Sequence, residues 1–297
     1  LSGSHAYAAR LGYALSVGQP RIATALYCPV RDIWAWGEQA SDAVQSHDLL
    51  AAELLANQRD FDLIDDDLLA HADIESGLLV TGSMRYDTII TGATLWMDPP
   101  SLDTLRRFAQ PGGAVLCLEH KPGVSGLPEE SAPGILLSTD TIIARTTPTL
   151  RLSPPCHGIT CASRTLDDGS VIAFLFNETA ESYAGACQTI APYAACLDPL
   201  NGSMAALSAT DGQLPVQLPP GGSLLLLFSN TPCDATPSLT PVDQTIPLDA
   251  SLQITHVRRW EVGDHDFTIA NDIPFSTPVL ATLPWADWLS PDFSGEV

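Results

Sequence analysis

Lysine is almost missing from this 297-residue chain. Thirteen basic residues, of which Lys121 is the one lysine, face 35 acidic ones, and the net charge is −22. Such a field repels phosphate backbones and anionic bilayers, so nucleic acid and membrane surfaces are excluded as expected partners. No apolar run approaches the roughly 20 residues that span a bilayer. No GxGxxG and no P-loop lysine occur; Gly112-Gly113 and Gly221-Gly222 read as turn glycines. The N-terminus, Leu1-Ser2-Gly3-Ser4-His5, has neither a basic n-region nor an apolar h-region, so no signal peptide is expected there. The chain reads as cut from something longer, and the sequence assigns no compartment: cytoplasm, periplasm and secretion stay open for the parent. The seven cysteines form no CxxC pair. Cys28 and Cys117 sit in apolar runs as small buried hydrophobes, and Cys156–Cys161 and Cys187–Cys196 are the disulfides that spacing leaves open.

What is present divides into two textures. From His5 to Leu118, short apolar runs alternate with helical patterns. Tyr7, Leu11 and Leu15 predict a helix closed by Gly18. Residues 22–27, 62–64, 88–91 and 114–118 predict buried parallel strands. Between them, Ser41 or Asp42 caps a helix to about Asn57, Asp65-Asp66-Asp67 start another at its positive end, and Asp98-Pro99-Pro100-Ser101 open a third. Leu78 to Tyr86 reads as a small hairpin. This alternation implies right-handed crossovers and a parallel sheet covered on both faces. After about Gly134 helical periodicity fades and Pro and Thr become frequent. Strands at 158–164 and 170–176 flank the turn Asp167-Asp168-Gly169, and further strands fit 184–190, 194–198 and 223–228. The stretch 231–241 reads as a Pro/Thr-rich linker.

Several stretches, in order, resemble the region after the catalytic barrel of large glycoside hydrolases similar to family 106 α-L-rhamnosidases. They are Tyr13 to Pro20, Ile22 to Pro29 followed by Arg31-Asp32-Ile33-Trp34-Ala35, Asp60 to Asp67, Tyr86 to Gly92 and Leu105 to Gly113. In the β-rich part they are Phe174-Leu175-Phe176-Asn177, Leu197 to Gly202 and Leu218 to Ser223; Cys196-Leu197 stands where an aromatic is expected. Trp260, Trp285 to Trp288 and Phe293-Ser294-Gly295 resemble the start of a sugar-binding jelly roll. The resemblance implies an α/β plus all-β chain. A helix leaving a missing barrel (1–19) precedes a flavodoxin-like, or amidotransferase-like, parallel sheet with helices on both faces (20–135). An antiparallel β-sandwich (136–232) and an incomplete jelly-roll segment (233–297) follow.

No catalytic residue is assigned, because the resemblance puts the acid and nucleophile carboxylates before Leu1. A glycosidase needs two carboxyls roughly 5 to 9.5 Å apart across one bond; Asp65 to Asp67 are instead a helix start. Arg31, Asp32, Trp34, Trp36 and Glu38 follow the first strand, hence lie at the carboxyl end of the sheet, where open α/β folds place ligands. They are the expected substrate-binding group, the alternative being that both tryptophans pack an interdomain contact. Trp260, Trp285 and Trp288 are glycan-stacking candidates. Cys117 with Glu119 and His120 has the wrong spacing for a nucleophile elbow, which needs a turn directly after a strand. No metal or cofactor is expected; Asp264, His265 and Asp266 read as a solvated turn rather than a calcium site. The expected function is an accessory part of a glycoside hydrolase, touching glycan through the parent enzyme and inactive alone. The alternative is a stand-alone carbohydrate-binding or homo-oligomerising module.

Overall fold

The computed structural model describes residues 2–37, 41–123, 132–233, 253–262, 267–280 and 295–296. Two compact units divide at Leu239/Thr240. In the first, the chain runs α1 (Ser2–Ala14), β1 (Gln19–Pro20), β2 (Thr24–Tyr27), α2 (Val30–Trp36), α3 (Ser41–Ala56), β3 (Asp62–Ile64) and α4 (Asp66–Ala70). It continues through β4 (Asp73–Glu75), β5 (Leu78–Thr81), β6 (Met84–Tyr86), β7 (Thr88–Thr91), α5 (Pro99–Ala109), β8 (Ala114–Leu118), β9 (Ile135–Leu137) and α6 (Thr139–Arg145). The β-rich part holds β10 (Leu152–Ser153), β11 (Ile159–Thr165), β12 (Val171–Asn177), β13 (Tyr183–Gln188), β14 (Tyr193–Leu197), β15 (Met204–Leu207), β16 (Gln213–Leu218) and β17 (Ser223–Ser229).

The parallel sheet has the order β3-β2-β7-β8-β9. Its central strands β2, β7 and β8 are buried on both sides, and side-chain alternation assigns the faces. Ala25, Tyr27, Ile89, Val115 and Cys117 turn to one side, where Leu69 of α4 and Leu102, Leu105 and Phe108 of α5 cover them. Leu26, Ile90, Leu116 and Leu118 turn to the other, under Leu50 and Leu54 of α3 and Ile142 of α6. The hairpin expected at 78–86 gains a third strand, β4, and its Leu79 and Tyr86 seal the first core. The expected loss of helical periodicity after Gly134 is corrected by β9 and α6. β9 pairs in parallel with β8, and α6 contributes one fully buried residue, Ile142, too few for a readable stripe.

The β-rich part is a two-layer sandwich. A six-stranded sheet of order β1-β11-β12-β17-β14-β15 faces a three-stranded one of order β10-β13-β16. Between them lie Ile159, Leu175, Leu214, Val216, Leu226 and Phe228. β16 has no counterpart among the sequence expectations. It carries Pro215, which a strand tolerates at a sheet edge, and there it buries Leu214, Val216 and Leu218 in strict alternation. Helix α1 and the turn after it lie on the outer face of the large sheet, placing Leu11, Ala14 and Val17 against Ile172 and Leu225. Gly18 makes the turn from α1 into β1: its φ is +67°, and a Cβ there would stand 2.2 Å from the Thr165 carbonyl oxygen, so only glycine fits. The layers are stitched by Gln58, whose Nε2 donates to the carbonyls of Ala56 at 3.0 Å, Cys156 at 2.9 Å and Ile159.

All seven cysteines are free, which removes both disulfides that spacing left open. Cys161 and Cys187 point into the sandwich core, where burial pushes both thiols up, Cys187 to about 11. The second unit shows a three-stranded antiparallel sheet, β18 (Gln253–Val262), β19 (Phe267–Leu280) and β20 (Gly295–Glu296), with β18 central. Among the described residues no helix is long and apolar enough to cross a membrane.

Candidate functional site

Strand order reverses about β2: the chain steps from β2 to β3 on one side and later to β7 on the other. Loops leaving the carboxyl ends of β2 and β7 therefore diverge, and this end of the sheet is the usual ligand position in open parallel sheets. The loop after β2 is two residues long and runs directly into α2, so Arg31, Asp32 and Trp34 project from a helix. The segment after β7, residues 92–98, runs into α5, and α4 follows β3 at once.

Asp66 organises this end of the sheet. Its side chain is 5% exposed. One carboxylate oxygen accepts the Tyr27 hydroxyl at 2.7 Å and lies 3.6 Å from Arg31 Nε; the other accepts the Asp98 backbone N–H at 2.9 Å. Arg31 reaches on to the Asp98 carboxylate, so the starts of α2, α4 and α5 converge on one ionic knot. Burial, and then the neighbouring Asp66 charge, push the Tyr27 phenol far above its ordinary range; it stays a neutral donor. Asp32 is also buried and accepts the N–H groups of Leu95 at 3.1 Å and Trp96 at 3.4 Å. Burial raises its carboxyl, against the pull of those two N–H groups. Trp34 differs from all of these. It is 70% exposed, and the Arg31 guanidinium lies 4.6 Å from its ring centroid, a cation–π contact that fixes the indole face.

Of the expected group, the structure brings Arg31, Asp32 and Trp34 together on α2. Asp32 is buried and pins the 92–98 segment from within. The side chain of Trp36, Glu38 and the side chain of Trp260 lie outside the described residues, as do Trp285, Trp288 and the 264–266 turn. Asp65 caps α4 as expected, accepting from Leu68 N–H at 2.9 Å. The inward turn of Asp66 is not legible in the sequence. Three consecutive aspartates at a helix start carry no signal for which one the tertiary fold recruits. Cys117 is buried inside β8, as expected, and burial raises its thiol.

A second perturbed carboxyl lies at the opposite, amino end of the sheet. Burial, opposed by the Phe61 N–H and reinforced by Asp62, lifts Asp60 from 3.8 to about 6. The folded chain thus holds this proton more tightly than the unfolded one. Stability present in acid is lost as pH rises through the window between these two values, and the loss is complete above it. Asp60→Asn is expected to raise stability at about pH 7.5 by about 1–3 kcal/mol, with the gain fading at about pH 4. Calorimetry at the two pH values checks it; an equal gain at both would detach the effect from titration.

No protein-family model matches the chain, and no curated protein matches it. Among solved structures, partial likeness is found to glycoside hydrolases. One is an apo exo-carrageenase, GH42, from Bacteroides ovatus, at TM-score 0.45 and 12% identity over 70% of this chain and 29% of that one. The GH42 β-galactosidase Gan42B gives TM-score 0.44 and 10% identity over 69% and 40%. The α-L-fucosidase isoenzyme 2 of Paenibacillus thiaminolyticus gives TM-score 0.44 and 14% identity over 70% and 48%. The chain thus spans between 29% and 48% of the length of these structures. None of the three is a family 106 rhamnosidase, and similarity at this level carries neither activity nor substrate across.

Proposed function

We propose that this chain is a non-catalytic accessory portion of a glycoside hydrolase, α-L-rhamnosidase-like in its order of parts, whose α/β layer presents Trp34 to a glycan. The carrying observation is the contrast at the carboxyl end of the sheet. Asp32, Asp66 and Asp98 are each engaged by N–H, phenol or guanidinium donors, whereas Trp34, 70% exposed, presents an open indole braced by Arg31. Carboxylates committed in this way are poor candidates for proton shuttling across a glycosidic bond. An exposed, braced aromatic face suits the apolar face of a sugar ring. The sheet order, 2-1-3-4-5 when its strands are numbered by themselves, is the flavodoxin-like one, and the ordered motifs running into the β-sandwich support the same reading.

Titrating tryptophan fluorescence with rhamnose-containing oligosaccharides tests this. The wild-type chain is expected to give a saturable change, and Trp34→Ala to weaken it about tenfold with the far-UV spectrum unchanged. Absence of any response to glycan removes the glycan-facing role. Turnover of an aryl rhamnoside by the chain alone removes the non-catalytic one.

A further inference from the structure

Cations are scarce in this chain, yet three of its arginines line one cavity. It measures about 510 Å³ and opens at the amino ends of β2, β7 and β8, remote from Trp34. Arg21 follows β1, Arg85 lies in β6 and Arg145 ends α6, so three separate elements deliver them. Arg85 shares its charge with Glu75 at 3.2 Å. Among the described residues, no carboxylate stands within 4 Å of Arg21 or Arg145. Arg21 makes one long bond, 3.4 Å, to the Thr149 carbonyl, and Arg145 lies open to solvent. In a protein carrying −22 overall, three arginines at one cavity, two of them outside ion-pair reach of any carboxylate among the described residues, are a local concentration of positive charge.

The rest of the wall is made of acceptors and hydroxyls. The Asp60 carboxylate takes the Phe61 N–H at 3.1 Å and the Asp87 carboxylate takes the Thr88 hydroxyl at 2.8 Å, which leaves each with spare lone pairs. Ser83, Thr147 and Thr149 add polar groups to the same lining. Unpaired guanidinium forks recognise a planar anion in two-point fashion. Carboxylates and hydroxyls around them recognise a polyol. The volume falls within the range of small-ligand sites.

We propose that this cavity binds an acidic monosaccharide unit of the uronate type, its carboxylate held between Arg21 and Arg145 and its ring hydroxyls by Asp60, Asp87 and the neighbouring hydroxyl side chains. The site is separate from the Trp34 face. Only the saccharide character of the ligand rests on the glycan reading given above; the demand for an anion does not.

Calorimetric titration of the full chain with glucuronate and with glucose, at one low ionic strength, tests the assignment. Glucuronate is expected to bind at least tenfold more tightly than glucose. Arg21→Ala and Arg145→Ala are each expected to cut glucuronate affinity about tenfold or more, with melting temperatures unchanged because both side chains are exposed. Trp34→Ala, which removes the other site, is expected to leave glucuronate binding intact, so the two readings fail separately. Equal affinity for the two sugars, no binding of glucuronate, or wild-type affinity in both arginine variants overturns the assignment.

Discussion

Asp66→Ala is expected to cost the first unit about 2–4 kcal/mol of stability, lowering its melting temperature by roughly 5–15 °C. The effect comes from what the carboxylate leaves behind. Tyr27 is fully buried, and its hydroxyl loses its acceptor. The Asp98 N–H at the entrance to α5 loses its partner as well. A buried donor left unmatched costs about 1–3 kcal/mol, more than the net worth of the bond it made. Tyr27→Phe deletes the donor along with its need, so a loss of about 1 kcal/mol is expected. Once Asp66 is alanine, Tyr27→Phe should recover part of the stability. A double-mutant cycle by urea unfolding reads this as a coupling energy; strict additivity would deny that the two groups act together. Because Arg31 rests against both Asp66 and Trp34, the Asp66→Ala protein should also give an altered tryptophan emission spectrum before any unfolding begins.

Asn177→Leu is expected to destabilise the sandwich by about 3 kcal/mol. Leucine is close in size but lacks both halves of the amide. The Asn177 Nδ2 donates to the carbonyls of Glu181 at 2.8 Å, Leu218 at 3.1 Å and Pro219 at 3.1 Å, while Oδ1 accepts the Thr179 N–H at 3.0 Å and its hydroxyl at 2.7 Å. The residue has no solvent exposure, so water cannot take over these bonds without opening the two loops that it joins. Asn177→Asp separates shape from chemistry: it keeps the acceptor, loses the donor and buries a charge, so a loss at least as large as that of leucine is expected near neutral pH. Thermal unfolding followed in the far and near ultraviolet measures both. A change within about 0.5 kcal/mol of wild type for either variant would deny Asn177 its part in ordering these loops.

Much of the α/β layer was legible because its strands are short, mainly apolar and set between helices with readable starts. Thr24 to Tyr27, Thr88 to Thr91 and Ala114 to Leu118 needed only composition and flanking turns. The hairpin about Asp167-Asp168-Gly169 needed only turn chemistry. What escaped were elements whose burial comes from distant partners. β9 exposes Ile135 and Leu136 and is held by pairing with β8 rather than by an apolar face. β16 carries a proline that speaks against a strand unless its edge position is known. At the candidate site, the position of Arg31, Asp32 and Trp34 after the first strand was legible from one stretch, whereas α2 itself was not foreseen. The knot that steadies them joins positions 27, 31, 66 and 98, and no local pattern announces which of three adjacent aspartates turns inward. The arginine-lined cavity was illegible for the same reason: positions 21, 85 and 145 share no motif and meet only through the strand order.

The pairing of β1 with β11 bears on the order in which the protein is made. Gln19 and Pro20 sit opposite Thr165 and Arg164, so the first strand of the large sheet emerges from the ribosome well over a hundred residues before its neighbour. The α/β layer is spliced into the sandwich between them. During synthesis that layer can close on its own strands, while α1 and β1 wait with the apolar side of α1 uncovered until β11, β12 and β17 arrive. Dissection therefore has a preferred grammar: deleting residues 22–145 as a block and rejoining the flanks respects the architecture, whereas cutting once near residue 135 leaves the sandwich without its first strand and the helix that lies upon it.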